Sequence, residues 1–254
     1  MKQSEPLISV ILPVCNAGKF LRDSLKSLLS QTHRNIELIA IDDHSKDKSG
    51  DILKRFKKKD KRLKVFRNKK RYGLAITLNR AVKRAHGAYI AFASQNGTST
   101  LNRLETQLEY LLANPKVAVV GTQCTFINEK NKRVGKSSFP EDHELIKQTL
   151  LPCSSMLPET VMINRTILPK DILYFSKHAY PIIYSDVFMK FLSYAQVANM
   201  SKVLYCHRKI ESISTKAEQI KSFYNMGKLW AKSFTKYSER PSLRALFTPL
   251  VKQA

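Results

Sequence analysis

The residues best placed to do chemistry are two adjacent carboxylates, Asp42 and Asp43, which close the apolar run Ile36-Glu37-Leu38-Ile39-Ala40-Ile41. A short apolar run with polar flanks reads as a buried strand of a parallel sheet, covered by helices on both faces. In an open α/β sheet, ligands lie in the crevice beyond the carboxyl ends of the strands. Both acids therefore fall where a ligand would be held. Ser45 or Asp47 is expected to cap the helix that follows. The plainer alternative is that the two acids do no more than start that helix.

The elements that must carry these acids alternate along the chain. Leu7 to Val14 is a first buried strand, followed by a turn at Cys15-Asn16-Ala17-Gly18 and a helix over about Lys19 to Gln31. Phe20, Leu21, Leu25, Leu28 and Leu29 recur there at helical spacing. Ile52, Leu53 and Phe56 mark a second helix, Leu63 to Phe66 a third strand, and Gly73 to His86 a third helix. Ala88 to Ala93 is a fourth strand, Asn102 to Ala113 a helix, and Val117 to Gly121 a strand. This order predicts an α/β fold with a doubly wound, mostly parallel sheet. Thr125 to Lys136 suggests a hairpin-like excursion.

The charge balance is uneven, with 44 Lys and Arg against 20 Asp and Glu and a formal net charge of +24. Such a surface implies an anionic partner: nucleic acid, acidic phospholipid or a phosphorylated substrate. Nucleic acid is the weakest of these, because no helix-turn-helix, zinc-finger or RNA-recognition signature interrupts the basic stretch Lys54 to Arg71. That stretch reads first as a solvated helix face and loop. No apolar run reaches the roughly 20 residues of a membrane span, and Met1 to Pro6 is too polar for a signal peptide. Cys15, Cys124, Cys153 and Cys206 lack zinc spacing. Reduced thiols in a cytoplasmic protein are the expectation.

Several motifs in order carry a resemblance. Ile8 to Asn16, Ser30-Gln31-Thr32, Glu37 to Ser45, Gly87 to Ile90, Asn102 to Glu105, Asn114-Pro115 and Val119 to Thr122 together resemble family 2 glycosyltransferases. These are inverting, nucleotide-sugar-dependent enzymes of the GT-A fold. The resemblance implies that Asp43 accepts a hydrogen bond from the nucleotide base while Asp42 shapes the turn. It implies that Pro13 and Cys15 line the base; many relatives carry an aromatic where Cys15 stands. Cys15 is expected to pack and not to react, since no His pairs with it in the sequence.

The family places an Asp-x-Asp-type cluster after the fourth strand to hold Mg²⁺ or Mn²⁺ against the diphosphate. Here Ser94, Gln95 and Asn96 stand at the diphosphate, with Asn96 as a weak metal ligand through its carbonyl. Two readings compete: cationic side chains or a donor-bound cation replace the motif, or the domain is degenerate and binds a nucleotide or glycan without turnover. By the same resemblance Asp186, after Ser185, is the general base that takes a proton from the acceptor hydroxyl. Its plain reading is a helix N-cap. His207, within Cys206-His207-Arg208-Lys209, is the leaving-group candidate, though a lone His is more often structural.

Residues 1–214 are expected to form the catalytic domain, and residues 215–254 a basic amphipathic helical tail. In the tail Phe223, Met226, Leu229, Trp230, Phe234 and Tyr237 recur among lysines, and Pro241 and Pro249 break it into shorter pieces. This face either packs on the domain or lies in an anionic membrane interface. The expected partners are a UDP- or GDP-linked sugar and a glycan or lipid-linked acceptor, with a role in cell-envelope synthesis on the inner face of the membrane.

Overall fold

The computed structural model describes residues 5–149, 155–180, 182–210 and 216–236. Cys153, the junction proposed at residues 214 and 215, and the tail beyond residue 236, with Tyr237, Pro241 and Pro249, lie outside the described residues. The elements in chain order are β1 (Ile8–Val14), α1 (Leu21–Leu29), β2 (Ile36–Asp42), α2 (Ser49–Lys59), β3 (Leu63–Arg67), α3 (Leu74–Val82) and β4 (Tyr89–Phe92). They continue with β5 (Thr98–Ser99), α4 (Arg103–Ala113), β6 (Val117–Ile127), β7 (Arg133–Lys136), α5 (His143–Thr149), β8 (Met162–Asn164), α6 (Ile183–Leu192), β9 (Gln196–Arg208) and α7 (Lys216–Lys236).

Nine strands form one sheet in the order β3-β2-β1-β4-β8-β6-β9-β5, with β7 on β6. β1 runs parallel to β2 and β4, β2 to β3, and β6 to β9. The parallel sheet expected from the alternation is present in β3-β2-β1-β4, but four of the eight pairings among the described residues are antiparallel: β4–β8, β6–β8, β5–β9 and β6–β7. β8 enters antiparallel between β4 and β6, so the sheet is mixed at its centre.

Side chains alternate between two apolar layers, as the pleat requires. Val10, Leu12, Leu38 and Ala40 face α1, α2 and α4. Ile11, Ile39 and Ile41 face α3 and α6. Burial on both faces explains why β1 and β2 read as continuous apolar runs.

Three boundaries depart from the sequence reading. α3 stops at Val82 and not near His86, because the chain tightens through Arg84 N–H to Ala81 O and Ala85 N–H to Val82 O. It must then bring Gly87 against β1, where an added Cβ would lie 2.7 Å from Ser9 N. β6 extends past Gly121 to Ile127 because β9 runs beside it to Arg208, and its far end forms the suggested hairpin with β7. α2 begins at Ser49 with Lys48 at the cap position. Neither Ser45 nor Asp47 occupies that position, although Asp47 Oδ1 accepts the Ser49 N–H at 3.0 Å.

α7 settles how part of the tail is used. Met226 and Leu229 are buried in the same apolar layer as α6, and Trp230 packs against it. Ile220, Phe223 and Tyr224 remain exposed on the same helix. Among the described residues no helix is long and apolar enough to cross a membrane.

Candidate functional site

The carboxyl ends of β1, β2 and β4 open onto a cavity of about 590 Å³. Pro13, Val14 and Cys15 come from β1 and its turn, Asp43 from β2, and Ala93 to Asn96 from the loop after β4. Arg71, Gly73, Leu74 and Thr77 close one side, and Glu159, Tyr180 and Tyr184 the other. The sheet thus brings Pro13, Cys15, Asp43, Ser94, Gln95 and Asn96 together, as the sequence reading placed them.

The turns after β1 and β2 are laced to each other by side chains. Asn16 N–H donates to Ser45 Oγ at 3.0 Å, Ala17 N–H to Ser49 Oγ at 2.8 Å, and Gly18 N–H to Asp47 Oδ2 at 2.7 Å. Asn16 and His44 both take positive φ, 49° and 59°, a conformation that Asn and His tolerate better than most residues. Asp42 is buried behind the turn. Its Oδ1 accepts the Ser45 N–H at 2.8 Å, and Arg67 Nε lies 3.6 Å from Oδ2. Asp42 is absent from the cavity wall, in keeping with a turn-shaping role.

Asp43 is 3% exposed and already engaged. Oδ1 accepts from Asn68 Nδ2 at 2.7 Å and Tyr72 N–H at 2.9 Å, and Oδ2 accepts from Gly73 N–H at 2.8 Å. Asn68 is itself fixed by Arg80, which lies over the Tyr72 ring. A carboxylate offers about four acceptor positions; three are filled, and Oδ2 keeps one. Gly73, at φ 85°, lets the backbone turn both amides toward the acid. The loop that supplies these donors is the end of the basic stretch Lys54 to Arg71. That stretch divides: Lys57, Lys58 and Lys59 of α2 are solvated, Lys64 pairs with Glu37 at 2.6 Å, and Arg71 lines the cavity.

Cys15 is held by backbone contacts, and burial pushes its thiol up from the ordinary value, with Arg71 opposing and nearby acids adding to the rise. It remains a thiol at neutral pH, consistent with packing. Gln95 clamps the same residue from both sides: Cys15 N–H donates to Gln95 Oε1 at 2.6 Å, and Gln95 Nε2 donates to Cys15 O at 3.1 Å. Both ends of that amide are therefore committed to the protein. Ser94 N–H donates to Tyr205 Oη at 3.2 Å, and Asn96 O accepts from Arg208 Nε at 3.3 Å. Between them, Gly97 passes so close to Tyr205 that an added Cβ would collide with its hydroxyl.

Arg103 lies beneath this loop, fully buried. It donates to Gln107 Oε1 at 3.0 Å, Ser99 Oγ at 3.0 Å and Phe92 O at 2.9 Å. Burial lowers it to about 10, so it stays charged at neutral pH. The sequence reading used Arg103 only as part of a motif; its spacing four residues before Gln107 was the available signal.

The remaining candidates lie apart. His207 packs edge-on against Phe126, with ring centroids 5.8 Å apart, and its Nδ1 is buried without a hydrogen-bond partner. It is not on the cavity wall. Its neighbour Arg208, stacked over Phe20, is the side chain that reaches the Ser94–Asn96 loop. Asp186 stands in the first turn of α6 but caps nothing. It is bridged by Lys190 at 2.9 Å and by Lys232 of α7 at 3.2 Å. Tyr184, two residues earlier, faces the cavity; Asp186 itself sits under α7.

Among the described residues no group of three or more His, Cys, Asp or Glu side chains is arranged to hold a metal ion. One acid does reach the cavity opposite the Ser94–Asn96 loop: Glu159, whose buried Oε2 has no hydrogen-bond partner. An orphaned carboxylate oxygen on a residue that lines the same cavity as Asn96 fits a divalent cation shared with a ligand's own oxygens, though not a site built by protein alone.

Residues 9–170 match the family described as Glycosyl transferase family 2. Among curated relatives, the putative teichuronic acid biosynthesis glycosyltransferase TuaG of Bacillus subtilis is 38% identical over 176 residues, 65% of this chain and 65% of TuaG. UDP-Glc:alpha-D-GlcNAc-diphosphoundecaprenol beta-1,3-glucosyltransferase WfgD of Escherichia coli is 30% identical over 200 residues, 78% of this chain and 73% of its own. Among solved structures, S. aureus TarS 1-349 in complex with UDP-GlcNAc superposes with a TM-score of 0.71 at 21% identity, over 89% of this chain and 66% of that one. The fold is GT-A.

Proposed function

We propose that this chain, which belongs to glycosyl transferase family 2, moves one sugar from a UDP- or GDP-linked donor to an acceptor hydroxyl with inversion at the anomeric carbon. The acceptor would be a glycan or a lipid-linked saccharide; the name of WfgD specifies a diphosphoundecaprenol-linked sugar for that enzyme. The observation that carries the reading is Asp43, held by three donors at one end of the cavity with an acceptor position open on Oδ2. A base N–H placed there would gain a charge-assisted hydrogen bond, and a base lacking a donor would leave the acid unpaired.

Pro13 and Cys15 border the base, and the Ser94–Asn96 loop with Arg71 borders the diphosphate. The acceptor oxygen attacks the anomeric carbon as the bond to the diphosphate breaks, and its proton passes to Asp186. The nucleoside diphosphate departs with the bonding electron pair. A divalent cation, when bound, would neutralise charge on the departing diphosphate. Arg208, holding the Asn96 carbonyl, keeps the loop in place during that step. A second reading, binding without turnover, is favoured by the commitment of the Gln95 amide to Cys15.

Calorimetric titration of UDP and GDP, with EDTA and then Mn²⁺, tests the donor site. Binding by the wild type that disappears in Asp43→Ala supports it, and no binding in either condition rejects it. Sugar transfer to a diphosphoundecaprenol-linked acceptor, abolished in Asp186→Asn, separates turnover from binding alone. The exposed face of α7, with Ile220, Phe223 and Tyr224 beside Lys221 and Lys228, would rest on an anionic membrane. Flotation with anionic vesicles should be lost when Phe223 and Tyr224 become Ser and both lysines become Gln. Unchanged flotation would reject that placement.

A further inference from the structure

We propose that Glu159 is the carboxylate that brings a divalent cation to the donor diphosphate, doing from the turn before β8 what no acid in the Ser94–Asn96 loop can do. The inference rests on the nucleotide-sugar reading above and concerns where its metal ligand comes from.

The sheet places Glu159 there by direction. β4 and β8 are antiparallel, with Ala91 opposite Met162. The pairing continues outward, with Phe92 N–H donating to Val161 O at 3.0 Å. Each step past the carboxyl end of β4 is thus a step back before the start of β8. The residues that precede β8 meet the loop that follows β4, and Glu159 lines the same cavity as Ser94 and Asn96. An acid lost from one strand end is replaced by one approaching from the opposite direction.

Its chemistry asks for a partner. Glu159 Oε2 is shut off from solvent and has no hydrogen-bond partner, a costly state for a carboxylate. Arg103 acts on it only through space, because its guanidinium donates to Gln107, Ser99 and Phe92. The field of Glu159 is felt nearby: burial first, and then this charge, push the Tyr205 hydroxyl upward. Glu159 lines the cavity, and no protein donor meets its buried Oε2.

Charge balance selects the ligand class. The protein carries a net +24, yet its cavity wall holds two carboxylates, Asp43 and Glu159, against one guanidinium, Arg71. A diphosphate entering that wall adds more negative charge. A hard divalent cation with oxygen ligands resolves the conflict, with Glu159, the side-chain carbonyl of Asn96 and the diphosphate as its ligands. Gln95 is not available, since its amide is spent on Cys15.

The test is Mn²⁺ binding followed by electron paramagnetic resonance, with calorimetry of UDP and GDP in EDTA and in Mn²⁺. Wild type should take up Mn²⁺ together with nucleotide. Glu159→Gln should bind nucleotide normally in EDTA yet lose at least roughly tenfold in Mn²⁺ affinity, with partial recovery in Glu159→Asp. The near-isosteric Gln should not lower the melting temperature. Unchanged Mn²⁺ uptake in Glu159→Gln overturns the inference while leaving the donor reading intact. Unchanged uptake together with weaker binding of UDP-sugar relative to UDP would make Glu159 a reader of sugar hydroxyls instead. Absence of nucleotide binding by the wild type would overturn both.

Discussion

Asp43 and Asp186 are both buried carboxylates, one in the cavity wall and the other beneath α7, and the protein satisfies them in opposite ways. Asp43 is held by two backbone N–H groups and an amide, neutral donors fixed by the β3–α3 connection. Asp186 is held by two ammonium groups, one of them carried by the tail helix. Neutral donors in a rigid loop make a permanent receptor with one position left over. Flexible lysines make a contact that can be exchanged when another group arrives. The proposed donor receptor is therefore prebuilt, and the proposed base, set apart from the cavity wall, is guarded by side chains that can move.

The sharpest way to break this contrast is Asp186→Asn. It should cost about 10²- to 10⁴-fold in turnover with little change in nucleotide affinity or melting temperature, as read by transfer assay and calorimetry. A large loss of nucleotide binding would show that the two acids are not separable. Asp43→Ala should do the reverse. It orphans three donors at about 1–3 kcal/mol each where water cannot replace the acid, so urea denaturation should show a loss of about 3 kcal/mol or more together with loss of nucleotide binding.

A third carboxylate serves as a control. Glu37 lies on the same strand as Asp42, at the end away from the cavity. Burial would raise it, but Lys64, Ser9 and His86 outweigh that and hold it at about 2. A folded-state value below the unfolded one gives stability that is present above about pH 4.5 and is lost as pH falls through about 2. The contribution is on the order of 2–3 kcal/mol, and Glu37→Gln should flatten stability against pH in that window without touching nucleotide binding. Smallest of all, Lys232→Ala should cost less than about 1 kcal/mol of stability, since its side chain is 39% exposed. Its effect should fall on the KM for acceptor and spare that for donor; an equal effect on both would erase the distinction between a fixed and a guarded end.

The same contrast separates what could be read from the sequence from what could not. β1, β2 and the turn after them are contiguous, buried on both faces and punctuated by their own polar residues, so Asp42 and Asp43 could be placed from local pattern, while Pro13 and the loop after β4 were placed by the family resemblance. The donors to Asp43 come from Asn68, Tyr72 and Gly73, at the end of a basic stretch whose charge hid its loop chemistry. Glu159 was not singled out in the sequence, since its importance depends on β8 running antiparallel to β4. An acid between Pro158 and an apolar strand was the faint signal. His207 and Arg208 are neighbours in sequence; choosing between them needed the packing of Phe126 and Phe20. The apolar stripe of α7 left two fates open, and long-range packing of Met226 and Leu229 chose one for that face.

The close approach of Tyr205 to Gly97 binds two distant codons into one inherited unit. A side chain at position 97 collides with the phenol, and shortening residue 205 removes the acceptor for Ser94 N–H before position 97 gains anything. Neither exchange is open as a single step. A library randomised at both positions should return Gly97 wherever Tyr205 survives, and larger residues at 97 only beside a small residue at 205. Drift in the loop after β4 is thereby limited by a residue on a different strand.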